Sequence, residues 1–322
     1  MTPRVDETRF RGEPALRLRV GSASATFLPG LGMTGVSLTH ASGEFLALPG
    51  GLDALRRGST GGLPILAPWS NRLSSPRYRV GRVDVDLTPA LAAGRLHVDD
   101  NGLPIHGLLA GRSRWSVVGT GVRRGVPWLR CWIDVDAPAF PFPHRLDVEA
   151  RLRDAQGEAK LEVVTTLTPT GRRAVPVGFG WHPYLRVPGT PRSRWRLRVP
   201  AMTHLALDER GIPTGAVTSE KHADAPIGRR RFDDLYALAP AARGAGRRLA
   251  FIGEDGRSVA LECDESYPNA QVWVPAGHNF AALEPMTAPT NALVTGAAPR
   301  VAPGDAFDAT FALKLTTTGG VG

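Results

Sequence analysis

The sequence predicts an all-β protein that folds as a large antiparallel β-sandwich in a single domain. Short segments alternate apolar and polar residues with period two, and successive side chains of a strand point to opposite faces of a sheet. Helical patterns are almost absent, and 37 glycines and 28 prolines separate the alternating segments. Many short strands joined by turns rich in glycine and proline are typical of a sandwich.

The alternation recurs from about Ala15 to Leu315 without a linker. Its clearest apolar positions, in chain order, are Val83, Val85 and Leu87; Leu129, Cys131, Ile133 and Val135; Leu146, Val148, Ala150 and Leu152; Leu161, Val163, Thr165 and Leu167; Trp195, Leu197 and Val199; and Phe311, Leu313 and Leu315. The stretch FIGEDGRSVAL at 251–261 predicts a hairpin, because Asp255-Gly256 can supply the positive φ of a tight turn. The best helical candidate is the short segment GLDALRRG at 51–58.

The uninterrupted pattern predicts one domain over residues 1–322, with an ordered core from about 8 to 315. A hydrophobic content of 42% and a charged content of 21% are ordinary for a globular chain, so disorder is not the expectation. Residues 316–322, TTTGGVG, are predicted to form a disordered tail.

The net charge of +9 raises the possibility of a nucleic-acid partner. Only three of the 39 basic residues are lysines, however, and the arginines are scattered without forming a stripe. Their clusters at 172–173, 229–231 and 247–248 fall in stretches that we predict to be loops. We interpret them as solvated surface and expect no nucleic-acid partner.

The two cysteines, Cys131 and Cys263, lie far apart and form no CxxC pair, so we expect free thiols and neither a zinc site nor a redox motif. The N-terminal segment has no apolar signal core, and no run of about 18 apolar residues occurs. We therefore predict a cytoplasmic protein without a membrane partner.

Four segments break the alternation and collect the unusual residues: 61–73, 102–109, 178–185 and 283–293. Each mixes glycine or proline with polar side chains in an apolar setting, which is where binding sites tend to lie. The polar residues of interest are Asn71, Arg72, His106, His182 and Glu284. A histidine and a glutamate can supply the acid and base of a proton-transfer reaction, and arginine and asparagine can donate to sugar hydroxyls.

Taken together, these segments resemble the aldose 1-epimerase (galactose mutarotase) family over roughly residues 28–315. The motifs that carry the resemblance occur in the family's order: Asn71-Arg72, His106-Gly107, His182-Pro183-Tyr184, Asp233-Asp234-Leu235-Tyr236 and Glu284-Pro285. The resemblance implies a galactose mutarotase-like supersandwich, in agreement with the alternation. It also implies an isomerase that interconverts the α and β anomers of a free aldohexose such as glucose or galactose.

The resemblance assigns roles to individual positions. Glu284 matches the general base that takes the proton of the anomeric hydroxyl, and His182 matches the general acid that protonates the ring oxygen. Arg72, His106 and Asp233 match residues that hold the sugar, and Asn71 is a further contact. No cofactor or metal is implied, and the expected partner is a monosaccharide bound by a monomer or homodimer.

The chemistry suggests two further expectations. Glutamate is ordinarily ionised at neutral pH and histidine can be charged, so we expect only modest pKa tuning of the pair. We also expect the two side chains to reach opposite ends of one small polar cavity.

Three alternatives remain open. A hexose-6-phosphate 1-epimerase tends to place an arginine where this chain has Thr60, although Arg56, Arg57 or Arg186 could substitute. A non-catalytic carbohydrate-binding protein is disfavoured by the presence of both Glu284 and His182. A glycoside hydrolase needs a second carboxylate, for which the candidates are Asp99-Asp100 and Asp264-Glu265.

Five of the other histidines match no family motif. We interpret the histidines as surface or core residues: His97, His144, His204, His222 and His278. Trp69, Trp181 and Trp273 could line a sugar pocket, but large aromatic residues of a sandwich are more often core, and we favour that interpretation.

Overall fold

Antiparallel strands dominate the computed structural model, which describes residues 2–111, 113–221, 223–239 and 247–317. The first fourteen strands are β1 (Arg4–Phe10), β2 (Glu13–Val20), β3 (Ala23–Leu28), β4 (Thr34–His40), β5 (Gly43–Glu44), β6 (Ile65–Leu66), β7 (Arg77–Val80), β8 (Val83–Asp86), β9 (His97–Val98), β10 (Pro104–Ile105), β11 (Ser116–Arg123), β12 (Val126–Ala137), β13 (Phe140–Ala155) and β14 (Glu158–Pro169).

The other fourteen are β15 (Val175–Pro176), β16 (Gly180–Trp181), β17 (Tyr184–Leu185), β18 (Arg196–Val199), β19 (Met202–Leu207), β20 (Pro213–Glu220), β21 (Ala223–Pro226), β22 (Phe232–Leu238), β23 (Arg247–Ile252), β24 (Ser258–Cys263), β25 (Asn269–Val274), β26 (Ala281–Met286), β27 (Arg300–Val301) and β28 (Phe307–Thr316). The described helices are short: α1 (Gly51–Arg56), α2 (Thr88–Ala92), α3 (Ala292–Thr295) and a 3₁₀ turn at Arg192–Arg194.

Three large sheets organise these strands. The first has the order β1-β2-β3-β4-β5, the second β11-β12-β13-β14-β28-β24-β23-β18-β21, and the third β20-β19-β22-β25-β26-β16-β6, with β17 also paired to β26. Three two-stranded ribbons, β7-β8, β9-β10 and β15-β27, complete the described topology. The fold is all-β and its strands pair antiparallel within the sheets, as predicted.

The period-two alternation sets which face of each strand is buried. Along β13 the residues from Phe140 to Leu152 alternate strictly between buried and partly exposed positions. The outward-facing residues pair across strands, as Arg130 does with Asp147 at 2.9 Å. The predicted hairpin is also confirmed, since β23 and β24 flank a turn in which Gly256 has φ +81°.

A continuous cluster of buried apolar side chains joins the three sheets. Strands β2 and β3 pack against β12 and β13, and β24 packs against β26. Trp69 and Trp181 are fully buried in this cluster, which confirms that they are core residues. The continuity of the core supports our proposal that the chain forms a single domain.

The structure corrects two local predictions. Arg247 and Arg248 begin β23 rather than a loop, because the buried Arg247 guanidinium donates to the backbone oxygens of Ala239 and Asp264. Each of the four non-alternating segments also contributes a short strand, including β6 and β26. β6 and β26 are buried on both faces, so their sequences lack alternation.

The predicted tail lies almost entirely outside the described residues. Thr316 is the last residue of β28, and residues 318–322 are not among those described, nor is His222. Cys131 and Cys263 are free thiols, as predicted. No described helix has the length and apolar character that a membrane crossing requires.

Candidate active site

Three neighbouring strands of the third sheet present polar side chains on one face. Asp233 of β22 lies opposite Trp273 of β25, and Gln271 of β25 lies opposite Glu284 of β26. Residues directly opposite in an antiparallel pair share a face, so these four side chains point the same way. Gln271 Nε2 donates to Asp233 Oδ1 at 2.6 Å, so a hydrogen bond links the two cross-strand pairs.

Two loop segments bring further site residues to this face. Asn71 and His106 both have left-handed backbones, with φ +56° and +65°, which is uncommon for residues other than glycine. The His106 N–H donates to the Asn71 carbonyl oxygen at 3.1 Å, and the segments also form an antiparallel bridge between Arg72 and Ile105. Such strained conformations often mark functional sites, because the surrounding structure must hold them in place.

All six predicted site residues line one pocket of about 150 Å³. Its lining residues are Asn71, Arg72, Ile105, His106, His182, Tyr184, Asp233, Trp273 and Glu284. Trp273 therefore lines the pocket, contrary to the interpretation that we favoured from the sequence. Trp69 and Trp181 do not; the indole of Trp181 donates instead to Thr165 within the core, at 3.1 Å.

His182 and Glu284 are in direct contact at the buried end of the pocket. His182 Nε2 lies 3.3 Å from Glu284 Oε1, and the two side chains are only 6% and 3% exposed. The expectation that they occupy opposite ends of the cavity is therefore wrong. The imidazole stacks on the Tyr184 ring at 4.5 Å and meets the Trp273 ring edge-on at 5.4 Å, so its orientation is fixed.

Burial shifts both members of this pair toward their neutral forms. It lowers the pKa of His182 to about 3 and raises the pKa of Glu284 well above its usual value. The negative charge of Asp233 raises the Glu284 pKa further, whereas the positive charge of Arg72 opposes the shift. The expectation of modest tuning is therefore wrong, because burial could not be read from the residue types. Burial thus favours a protonated Glu284 beside a neutral His182 over the corresponding ion pair.

His106 has its pKa lowered well below the ordinary value, mainly by burial and also by the nearby His182 and Arg72. It is therefore neutral at neutral pH, so one ring nitrogen can donate and the other can accept. Within the described residues, His106 Nδ1 and Glu284 Oε2 are buried without a hydrogen-bond partner. Buried polar atoms rarely stay unpaired, and a polyhydroxylated ligand could satisfy both.

Arg72 is held by three neighbours. Its Nε donates to Asp99 Oδ2 at 2.8 Å, its Nη1 to Asn71 Oδ1 at 3.2 Å and its Nη2 to Asp233 Oδ2 at 3.3 Å. The Asp99 side chain is 8% exposed, whereas that of Asp233 is 45% exposed. The Arg72 guanidinium thus bonds to one buried carboxylate, Asp99, and to one solvent-exposed carboxylate, Asp233.

The sequence did not single out Gln271 or Asp99 as parts of this arrangement, and it indicated Tyr184 only as a member of the His182-Pro183-Tyr184 motif, without a role in the site. Gln271 belongs to β25 and interrupts its apolar character, a signal that could have marked it. Asp99 was considered only as a hydrolase carboxylate, but it does not line the pocket. Among the described residues, no three His, Cys, Asp or Glu side chains come together as a set of metal ligands.

The fold and the pocket define a galactose mutarotase-like β-sandwich protein. The structure is similar to that of a galactose mutarotase-like protein from Clostridium acetobutylicum, with a TM-score of 0.82, 17% identity, and coverage of 98% of this chain and 99% of that one. A putative aldose 1-epimerase from Escherichia coli K12 has a TM-score of 0.71 at 18% identity, with coverage of 93% and 97%. For a galactose 1-epimerase from Lactobacillus acidophilus the TM-score is 0.74 at 12% identity, with coverage of 98% and 99%. These likenesses establish the fold.

The chain belongs to the aldose 1-epimerase family, whose sequence model matches residues 49–314. No curated protein matches it significantly by sequence. Membership implies the isomerase class and a small sugar as substrate. The cytoplasmic location and the monomeric or homodimeric state stay predictions.

Proposed function

We propose that the protein is an aldose 1-epimerase that interconverts the α and β anomers of a free aldohexose, such as glucose or galactose. The contact between His182 and Glu284 carries this proposal, because an acid and a base lie 3.3 Å apart at the buried end of a small pocket. The anomeric hydroxyl oxygen and the ring oxygen of a sugar are bonded to the same carbon. Two adjacent protein groups can therefore reach both oxygens at once.

Ring opening needs Glu284 ionised and His182 protonated. Glu284 takes the proton of the anomeric hydroxyl while His182 donates a proton to the ring oxygen, and the bond between the anomeric carbon and the ring oxygen breaks. The products are an open aldehyde, a protonated Glu284 and a neutral His182. After rotation about the first carbon–carbon bond, the reverse transfers close the ring to the other anomer.

The resting form of the pair differs from the ring-opening form by one internal proton transfer. Burial favours a protonated Glu284 and a neutral His182, and the 3.3 Å contact lets the proton move between them. The resting form is also the form that recloses the ring. The cycle consequently needs no net proton from solvent, and the pair behaves as a single titrating unit.

The other lining residues would orient the sugar. Arg72 and Asn71 can donate to hydroxyl oxygens, Asp233 can accept from hydroxyl groups near the mouth, and neutral His106 can do either. Trp273 offers an apolar surface beside them. Each of these residues would act by fixing the anomeric centre against the His182–Glu284 pair.

The charges around the pocket favour an unphosphorylated sugar. Among the residues that the structure describes, Arg72 is the only lysine or arginine that lines the pocket. Thr60, at the position where the phosphate-specific branch tends to have arginine, bonds to the Tyr184 hydroxyl at 2.6 Å. Two of the three possible substitutes are engaged elsewhere, since Arg56 pairs with Glu13 and Arg186 donates to the Glu44 carbonyl oxygen at 3.0 Å.

Polarimetry tests this function. Fresh α-D-glucose and α-D-galactose should relax to their anomeric equilibria faster with the wild-type protein than in buffer, and α-D-glucose 6-phosphate should gain less. Glu284→Gln and His182→Asn should each lower the rate by about 10²–10⁴-fold. Glu265→Gln, at an exposed carboxylate, is the matched control and should keep the wild-type rate. Unchanged relaxation of both free sugars with the wild type would exclude the proposed activity.

A further inference from the structure

Asp99 is a buried carboxylate outside the pocket that contacts the site from behind. Its side chain is 8% exposed and lies against Arg72, with Oδ2 accepting from Arg72 Nε at 2.8 Å. Its neighbour Asp100 is exposed. Two adjacent aspartates therefore differ in burial and in contact, although the sequence alone does not distinguish them.

The second oxygen of Asp99 organises the turn that leads to His106. Oδ1 accepts from the backbone N–H groups of Asn101 at 3.0 Å and Leu103 at 2.9 Å. This turn runs directly into β10 and then His106, whose N–H donates to Asn71. The Asp99 carboxylate thus bonds both to the guanidinium of Arg72 and to the backbone turn that precedes His106.

Contacts on its other sides leave Arg72 little freedom. Gly211 has φ +73°, and a Cβ atom there would lie 3.0 Å from Arg72 Cζ, so the bare glycine backbone packs closely beside the guanidinium. Asp233 contacts Nη2 at the longer distance of 3.3 Å and is 45% exposed. Of the two carboxylates, Asp99 is the one that is both buried and close, while Asp233 can turn toward a ligand.

We propose that Asp99 is a positioning residue, which fixes the Arg72 guanidinium so that its Nη groups face the sugar and its charge faces Glu284. This proposal rests on the proposed function only where it predicts an effect of Asp99 on catalysis. The orientation of Arg72 is a property of the free protein and can be measured separately.

Asp99→Asn separates the two contacts of the carboxylate. The amide oxygen can still accept from Asn101 and Leu103, so the turn is retained. The amide nitrogen then faces the Arg72 Nε–H, and two donors cannot bond to each other. Asp100→Asn makes the same chemical change one residue away and is the matched control.

The first readout is the Arg72 Nε–H resonance in ¹⁵N-arginine NMR spectra, assigned by its absence in Arg72→Lys. We expect slow solvent exchange in the wild type and in Asp100→Asn, and a shifted, faster-exchanging signal in Asp99→Asn. An unchanged signal in Asp99→Asn would overturn the positioning role whether or not the protein is an epimerase.

The second readout is kcat/KM for the anomerisation of galactose. Asp99→Asn should lower it about 10- to 100-fold, as expected for a lost hydrogen bond between charged groups. The decrease should be divided between kcat and KM in the same proportion as in Arg72→Ala. In a protein that already carries Arg72→Ala, Asp99→Asn should lower kcat/KM by less than a further twofold. A merely structural role would instead give the same loss in both backgrounds, which would refute the proposal. Failure of the wild type to act on any sugar would refute the proposed function, while the NMR readout would still decide the role of Asp99.

Discussion

Glu284 combines the proposed role of general base with an energetic cost to the fold. Burial raises the pKa of its carboxyl, so the folded protein holds the proton to a higher pH than the unfolded chain does. Stability from this group is fully present below the unfolded pKa of about 4.3 and is lost as the pH rises through the folded pKa. The buried Glu284 side chain therefore contributes least to folding stability at the pH values at which its carboxyl group is ionised.

We predict that Glu284→Gln stabilises the protein against heat at pH 8 more than at pH 4.5. Glutamine has no charge to bury, so it relieves the cost that the carboxyl imposes above its unfolded pKa. The unfolding midpoint should rise by roughly 2–4 °C for each kcal/mol relieved. Calorimetry at the two pH values, with Glu265→Gln as control, measures the difference. A stabilisation that is equal at both pH values would contradict the assigned shift.

The buried histidines make folding stability depend on pH in the opposite direction to Glu284. Burial lowers the pKa values of His182, His106 and His144, so the unfolded chain binds protons that the folded protein excludes. Stability from a depressed histidine is present above about pH 6.5 and is lost as the pH falls toward the folded pKa. We expect the unfolding midpoint of the wild type to fall on acidification from pH 6.5 to 4.

His144 provides a test of this slope outside the pocket. Its Nδ1 lies 2.7 Å from the Phe142 carbonyl oxygen in the core, and no imidazole remains to be protonated in His144→Gln. We predict that this variant loses less stability on acidification than the wild type, whatever its midpoint at neutral pH. His278→Gln, at an exposed histidine, should retain the wild-type slope. Equal slopes for all three proteins would disprove the prediction.

At the scale of elements, the loops that carry Asn71 and His106 depend on a close backbone approach. Gly107 has φ +69°, and a Cβ atom there would lie 2.2 Å from the Ala67 carbonyl oxygen. Ala67 and Gly107 form a parallel bridge between the two loops. Any side chain at 107 must separate them and so displace His106.

We predict that Gly107→Ala lowers both the unfolding midpoint and the anomerisation rate by more than Gly102→Ala does. Gly102 also has a positive φ, +74°, but a Cβ atom there meets nothing within 4 Å. Gly102→Ala therefore reports the left-handed backbone alone, at about 1–2 kcal/mol, and Gly107→Ala adds the clash. Similar losses in the two variants would show that the loop contact does not matter.

Sequence patterns predicted the elements well where one face is buried. The alternation in β12, β13 and β14 marks their inward faces correctly, and the Asp255-Gly256 turn closes a hairpin. The pattern failed for short strands that are buried on both faces, such as β16, because their residues are uniformly apolar or small. It also failed for Arg247, whose charge is satisfied by backbone oxygens that only the tertiary structure supplies.

At the scale of the whole molecule, the site forms from segments far apart in sequence. The sequence predicted six of the nine lining residues. Five of the six lie in segments that break the alternation, whereas Asp233 was indicated by the family resemblance alone. Sequence patterns could not predict Gln271 or Asp99, which belong to no motif and join the site only by contacting Asp233 and Arg72. Nor could they predict the pKa shifts that favour the neutral forms of His182 and Glu284, since the burial of the pair arises only where the sheet and the loops meet.

We propose that His182 and Glu284 act as one proton-sharing pair. Polarimetric relaxation of α-D-galactose with the two single variants, Glu284→Gln and His182→Asn, and with the double variant tests it most directly. Groups that act as a unit are not additive, so we predict that the double variant is about as slow as either single variant. A wild type no faster than buffer, or a double loss equal to the product of the two single losses, would contradict the account.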